Sequence, residues 1–135
     1  MKTIRQTYLI KSSVEEAWKA LIDPKYINGW GGGPAKMNDK LGAEFSLWGG
    51  SIFGKNIEVK PGKKLVQEWY SEEKWEKPSI ATFTLSEEKN GVKLTLFHTN
   101  VPDKAAEDID EGWKIYYLGP LKKFLEGKKR KPIIF

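Results

Sequence analysis

Hydrophobic residues along this chain recur with two periods, and the switches between them outline its elements. Residues 2–11, KTIRQTYLIK, are rich in β-branched and aromatic types and predict a first strand. In SSVEEAWKALID the period changes. Val14, Ala17, Trp18, Leu21 and Ile22 form one apolar stripe, which predicts an amphipathic helix of about ten residues. Ser12 with Glu15 and Ser13 with Glu16 both have capping-box spacing. Asp23-Pro24 ends the helix, and KYINGW predicts a short irregular or helical piece.

Period two then returns. Ala43, Phe45 and Leu47 share one strand face. Gly49-Gly50 predicts a turn, residues 52–60 a further strand, and Pro61-Gly62 a hairpin. Leu65, Gln67 and Trp69 fall on one face of the next strand, and Ala81, Phe83 and Leu85 on one face of another. Asn90-Gly91 turns the chain again, and Val92, Leu94, Leu96 and His98 line the last strand. Short turns between successive strands imply antiparallel pairing. The predicted order is strand, helix, about six strands and a long C-terminal helix, with no repeat or interdomain linker.

The C-terminal stretch EGWKIYYLGPLKKFLEG places Trp113, Tyr116, Tyr117, Leu121, Phe124 and Leu125 at helical spacing. An antiparallel sheet with one apolar face needs that face covered, and the first helix is too short to do it alone. A continuous helix from Asp103 to Gly127 spans about 35 Å, enough to close the open side of the sheet. Pro120 cannot donate to the Tyr116 carbonyl, and its ring crowds that turn. A kink or break is expected near residues 116–120, with two shorter helices as the alternative.

Composition narrows the function. The chain has 135 residues, one domain's worth, and enough to bury a core without staples. It has no cysteine, which excludes disulfides, thiolate metal sites and thiol nucleophiles. MKTIRQTYLIKSS lacks a signal-peptide h-region, and no apolar stretch reaches membrane-span length, so a cytoplasmic protein without membrane attachment is expected. The net charge of +5 rests on 23 basic and 18 acidic residues. Nearly all the basic ones are lysine rather than the arginine that suits phosphate and base contacts, so no nucleic-acid partner is expected. The run Lys128-Lys129-Arg130-Lys131 is read as a solvated tail.

Four stretches carry a resemblance to a known family: VEEAWKALIDPKYINGW, LGAEFSLWGGSIFGKNIEVKPGKKLVQEWY, WEKPSIATFTLSEEKNGVKLTLFHTNVP and EGWKIYYLGPLKKFL. Together they cover nearly the whole chain. The sequence resembles the activators of the ninety-kilodalton heat-shock chaperone ATPase, in their C-terminal-domain-like form. These belong to the START-related, birch-pollen-allergen-like helix-grip superfamily. The resemblance implies an α+β helix-grip fold, with six to seven curved antiparallel strands wrapped around a long C-terminal helix and often a cavity between them. It also implies a non-catalytic, protein-binding role with a heat-shock chaperone as partner. A carrier or sensor of a small apolar ligand is the alternative, and no cofactor is expected.

The polar residues on the inner face are the candidate chemistry. His98 is the only histidine; it is either a polar anchor or proton carrier in a cavity, or a hydrogen-bonded strand residue. A general base needs a positioned partner, and the sequence supplies no adjacent carboxylate. One histidine among scattered carboxylates has no metal-ligand spacing either. Gln67 contacts a ligand or a neighbouring backbone group. Trp30, Trp69, Trp113 and Tyr117, with Phe45, Phe83, Leu96 and Leu121, either line an apolar pocket or form a plain aromatic core. GWGGGP lacks the ending of a phosphate loop and is read as a flexible lid at the cavity mouth. No G-x-S-x-G is present, and Asp108, Asp110 and Glu111 are explained by the helix dipole. Trp48, Trp75 and the Ile133-Ile134-Phe135 terminus are candidate protein contacts.

Overall fold

The computed structural model describes residues 1–71 and 77–129, with side chains through residue 127. Six strands form one antiparallel sheet in the order β1-β6-β5-β4-β3-β2. They are β1 (Lys2–Ile10), β2 (Glu44–Leu47), β3 (Ile52–Lys60), β4 (Lys64–Ser71), β5 (Ser79–Glu88) and β6 (Gly91–Val101). From β2 onward each strand pairs with its successor, and β1 closes the far edge by pairing with β6. Five strands therefore follow the first helix, one fewer than the period-two pattern predicts.

The inner face is set by alternation. Leu65, Gln67 and Trp69 of β4, Ala81, Phe83 and Leu85 of β5, and Val92, Leu94, Leu96 and His98 of β6 are all buried. Their outward neighbours are mostly half-buried or exposed. On β3 alternation places Asn56 inward, opposite Gln67, and the register slips just beyond it, in a bulge between Asn56 and Glu58.

Between β1 and β2 run α1 (Val14–Ile22) and α2 (Pro24–Trp30). Of the two capping serines it is Ser13 that acts, its hydroxyl accepting from the Glu16 N–H at 3.1 Å. The KYINGW piece is helical: Pro24 pre-sets its first turn, and Gly31 ends it with a left-handed φ of 104°.

The C-terminal helix is continuous rather than two pieces. It comprises α3 (Ala106–Gly112), a π-helical turn over Trp113–Tyr117, and α4 (Leu118–Lys129). The distortion lies one turn ahead of Pro120, largely upstream of the expected place. The Leu118 N–H reaches back five residues to the Trp113 carbonyl. The extra residue accommodates a proline that has no N–H to give Tyr116. Trp113, Tyr117, Leu121 and Leu125 are buried against the sheet, while Phe124 sits half-buried, its ring edge-on to Tyr26 at 5.7 Å. A sheet gripping a long C-terminal helix in this way is the helix-grip fold.

The glycine loop after α2 is not a free lid. The Gly32 carbonyl accepts from the Trp48 N–H at 2.8 Å and the Pro34 carbonyl from the Gly49 N–H at 3.0 Å. Asn28 Oδ1 takes the Ala35 N–H at 3.2 Å. Two of these ties fasten it to the turn after β2, and the third holds it to α2. Trp48, a candidate protein contact, is half-buried: its indole donates to the Gly31 carbonyl, and its ring meets Trp30 and Tyr117 edge-on. Trp75, Ile133-Ile134-Phe135 and the Arg130-Lys131 half of the basic run lie outside the described residues.

Candidate functional site

Where the helix crosses the middle of the sheet, rings from five elements meet. Trp69 stacks on Trp113 with centroids 4.7 Å apart, and Trp113 lies 4.7 Å from Tyr117. Tyr117 also packs 4.5 Å from Trp30 and 5.7 Å from Phe83. Phe45 closes the β2 side against Trp69. Offset and edge contacts of this kind add about 0.5–1.5 kcal/mol per pair beyond area burial.

Inside this cluster His98 is fully buried and doubly bonded. Trp113 Nε1–H donates to His98 Nδ1 at 2.9 Å, and Nε2 lies 2.7 Å from Ser79 Oγ. An indole N–H can only donate, so Nδ1 must be bare and Nε2 must carry the proton. That proton points at Ser79. A serine beside a histidine resembles a nucleophile with its base, but here Nε2 has no lone pair free to take the hydroxyl proton. The pair holds the strand ends and the helix together rather than activating the serine. Burial pushes the His98 pKa down to about 4, so the ring is neutral at physiological pH.

Gln67 is equally occupied. Its Nε2 donates to Asn56 Oδ1 at 3.0 Å and contacts Met37 Sδ at 3.3 Å, and its Oε1 accepts from Trp69 Nε1 at 3.0 Å. Asn56 in turn donates to the Asn38 and Lys40 carbonyls. The chain Trp69–Gln67–Asn56 therefore anchors the loop before β2. Satisfied networks of this sort fix one arrangement of a core.

Open space also lies beside the cluster. A cleft of about 400 Å³ is bounded by Trp48, Ser51 and Ile52 on one side, Trp69 at its floor, and Asp108, Ile109, Gly112, Trp113, Tyr116 and Tyr117 of the helix. Three of the predicted cavity residues, Trp69, Trp113 and Tyr117, line it. Trp30, Phe45, Gln67, Phe83, Leu96, His98 and Leu121 are buried in the packing behind. The Tyr117 hydroxyl is buried with no hydrogen-bond partner, and burial raises its pKa. Sequence reasoning missed Asn56 and Ser79, both buried and polar, and the cleft residues Ser51, Ile52, Ile109 and Gly112. Among the described residues, no group of three or more His, Cys, Asp or Glu side chains is placed to hold a metal ion. Nor is any described helix long and apolar enough to cross a membrane.

Sheet, gripped helix and aromatic seam together define a START-like helix-grip protein. Within that class, the family described as activator of Hsp90 ATPase homolog 1-like protein matches residues 11–126, and the chain belongs to that family. It is 28% identical over 124 residues to an activator of 90 kDa heat shock protein ATPase homolog from Dictyostelium discoideum, covering 90% of this chain and 32% of that protein. The chain thus spans about a third of the length of the curated relatives it matches, 32% there and 35% for the human homolog. Among solved structures, an HSP90 activator from Plasmodium falciparum superposes with a TM-score of 0.83 at 26% identity, covering 93% of this chain and 96% of that one. Protein MLL2253 from Mesorhizobium loti gives the same TM-score at 23% identity, covering 98% of this chain and all of the other, which bears on the fold alone.

Proposed function

We propose that this chain is a non-catalytic domain that binds a ninety-kilodalton heat-shock chaperone and modulates its ATPase. The observation that carries the reading is the family match over residues 11–126. Support also comes from the likeness, over nearly the full length of both chains, to a solved protein described as an HSP90 activator. The interior supports the non-catalytic part, since its histidine and amide are spent on structural bonds. The test is a titration of the intact chain into the chaperone, following both binding and ATP hydrolysis. Saturable binding with a changed hydrolysis rate is expected. Neither binding nor a rate change at high micromolar protein overturns the proposal.

A second reading rests on the cleft: a carrier or sensor that holds a small ligand against Trp69, Trp113 and Tyr117. Sites for small molecules are mostly apolar concavities of this size with a few polar groups.

A further inference from the structure

Two large apolar side chains stand side by side in solvent on the C-terminal helix: Ile115 is 51% exposed and Tyr116 64%. They lie on the π-turn, between Trp113 and Tyr117, which take the inward positions. One turn ahead of Tyr116 is Gly112, with helical φ and ψ of −59° and −39°. Glycine is a poorer helix former than any residue but proline. A Cβ at Gly119 would strike the Lys114 carbonyl, so that glycine has a reason inside the fold. A Cβ at Gly112 would meet nothing within 4 Å outside its own stretch of helix, among the described residues. Gly112 instead leaves a notch at the edge of the cleft, which Trp48 and Ile52 border from the other side.

Charge gives the notch a direction. α3 holds Glu107, Asp108, Asp110 and Glu111 and no basic residue, on a chain of net charge +5. Asp110 is engaged by Gln6 and Lys114, while Glu107, Asp108 and Glu111 are exposed. Asp108 precedes Gly112 by one turn, and Glu111 precedes Ile115 by one turn. Acidic positions and then apolar ones therefore follow one another along one side of the helix.

We infer that this side of the helix, with Gly112 as its notch, is the face that meets the chaperone, and that the chaperone presents to it an aliphatic side chain flanked by lysine or arginine. The inference rests on the first reading above and names its contact surface. A helix position without a side chain lets a partner group approach the backbone closely. An anchor seated in such a notch, ringed by contacts that exclude water, is how interfaces concentrate affinity. The exposed carboxylates of α3 complement a cationic flank and favour its approach. A small molecule held in the cleft would leave Ile115 and Glu111 uncovered, whereas a protein segment laid along the helix covers them together.

The test titrates the intact chain and three variants into the ninety-kilodalton heat-shock chaperone, following both binding and ATP hydrolysis. Gly112→Ala should raise Tm, because alanine is the better helix former, and yet weaken binding by about fivefold or more as the notch fills. Tyr116→Ala, which removes an exposed ring, should weaken binding by about tenfold with little change in Tm. The double reversal Asp108→Lys with Glu111→Lys should weaken binding strongly at low salt, and the difference from the parent should shrink as ionic strength rises. Parent-like affinity in all three variants overturns this face and leaves the chaperone reading standing. A Gly112→Ala variant that loses binding only together with Tm overturns the notch, and a reversal without effect at low salt overturns the cationic flank. A parent chain that does not bind at high micromolar concentration overturns both the face and the reading it rests on.

Discussion

At the scale of single residues, the interior is held by side chains that each have one workable protonation state. His98 is the clearest case. Its folded pKa of about 4 lies below the unfolded value near 6.5, so between those values the unfolded chain binds a proton that the folded chain refuses. The stability His98 contributes is fully present above pH 6.5 and fades as pH falls toward 4, by roughly 3 kcal/mol in all. Thermal melts across that window should show Tm falling with pH, and His98→Gln should flatten the trend; a parent protein with constant Tm there would contradict the assignment. Asp103, held below the usual carboxylate range by the N-terminal ammonium, loses its contribution only in more acidic solution, so the two effects separate. Tyr117 offers the opposite experiment. Its hydroxyl is sealed in without a partner, an arrangement that costs about 1–3 kcal/mol. Tyr117→Phe keeps the ring contacts and should raise stability by about 1 kcal/mol in chemical denaturation. A loss of that size would show that the hydroxyl has a bond the structure does not reveal.

At the scale of elements, much was legible and the exceptions have identifiable causes. β4, β5 and β6 alternate cleanly because one face is buried along most of their length, and Gln67 and His98 stood out as polar residues in apolar positions. β3 hid its contribution. It carries a bulge and a largely solvated outer face, so Asn56 looked like one more polar residue. Ser79 is small and opens its strand, which gives periodicity nothing to register. Gly-Gly-Gly suggested mobility, but two of the three ties of that loop come from residues 48 and 49, a turn no local pattern connects to it. In the long helix, proline correctly announced a disturbance, while its form depended on Gly119. A Cβ there would collide with the Lys114 carbonyl, which the π-turn brings across the helix. Gly119→Ala would gain helix propensity in an ordinary helix. Here it should instead destabilise by about 1–3 kcal/mol, the usual range for a forced contact in a packed element, measured by urea unfolding. Unchanged or increased stability would mean the turn relaxes to a regular helix.

For the molecule as a whole, the fold could be anticipated because one apolar sheet face and one apolar helix stripe have few ways to cover each other. The cleft could not. It arises where the turn after β2 comes to face a helix some sixty positions later, and its lining is set by that meeting rather than by either stretch alone. The same helix shows how a whole-molecule fit can be written in a single extra residue. Trp113, Tyr117, Leu121 and Leu125 are buried at steps of four, and each such step overshoots a full revolution by about 40°. Over three steps the line of anchors would wind about 120° around the rod and carry Leu125 away from the side that Trp113 occupies. The five-residue turn at Trp113–Tyr117 sets the winding back by about one residue's rotation, near 100°. The helix therefore keeps time with the sheet beneath it by skipping a beat, and the same chain wound as a regular helix through this point would grip with its two ends facing different ways.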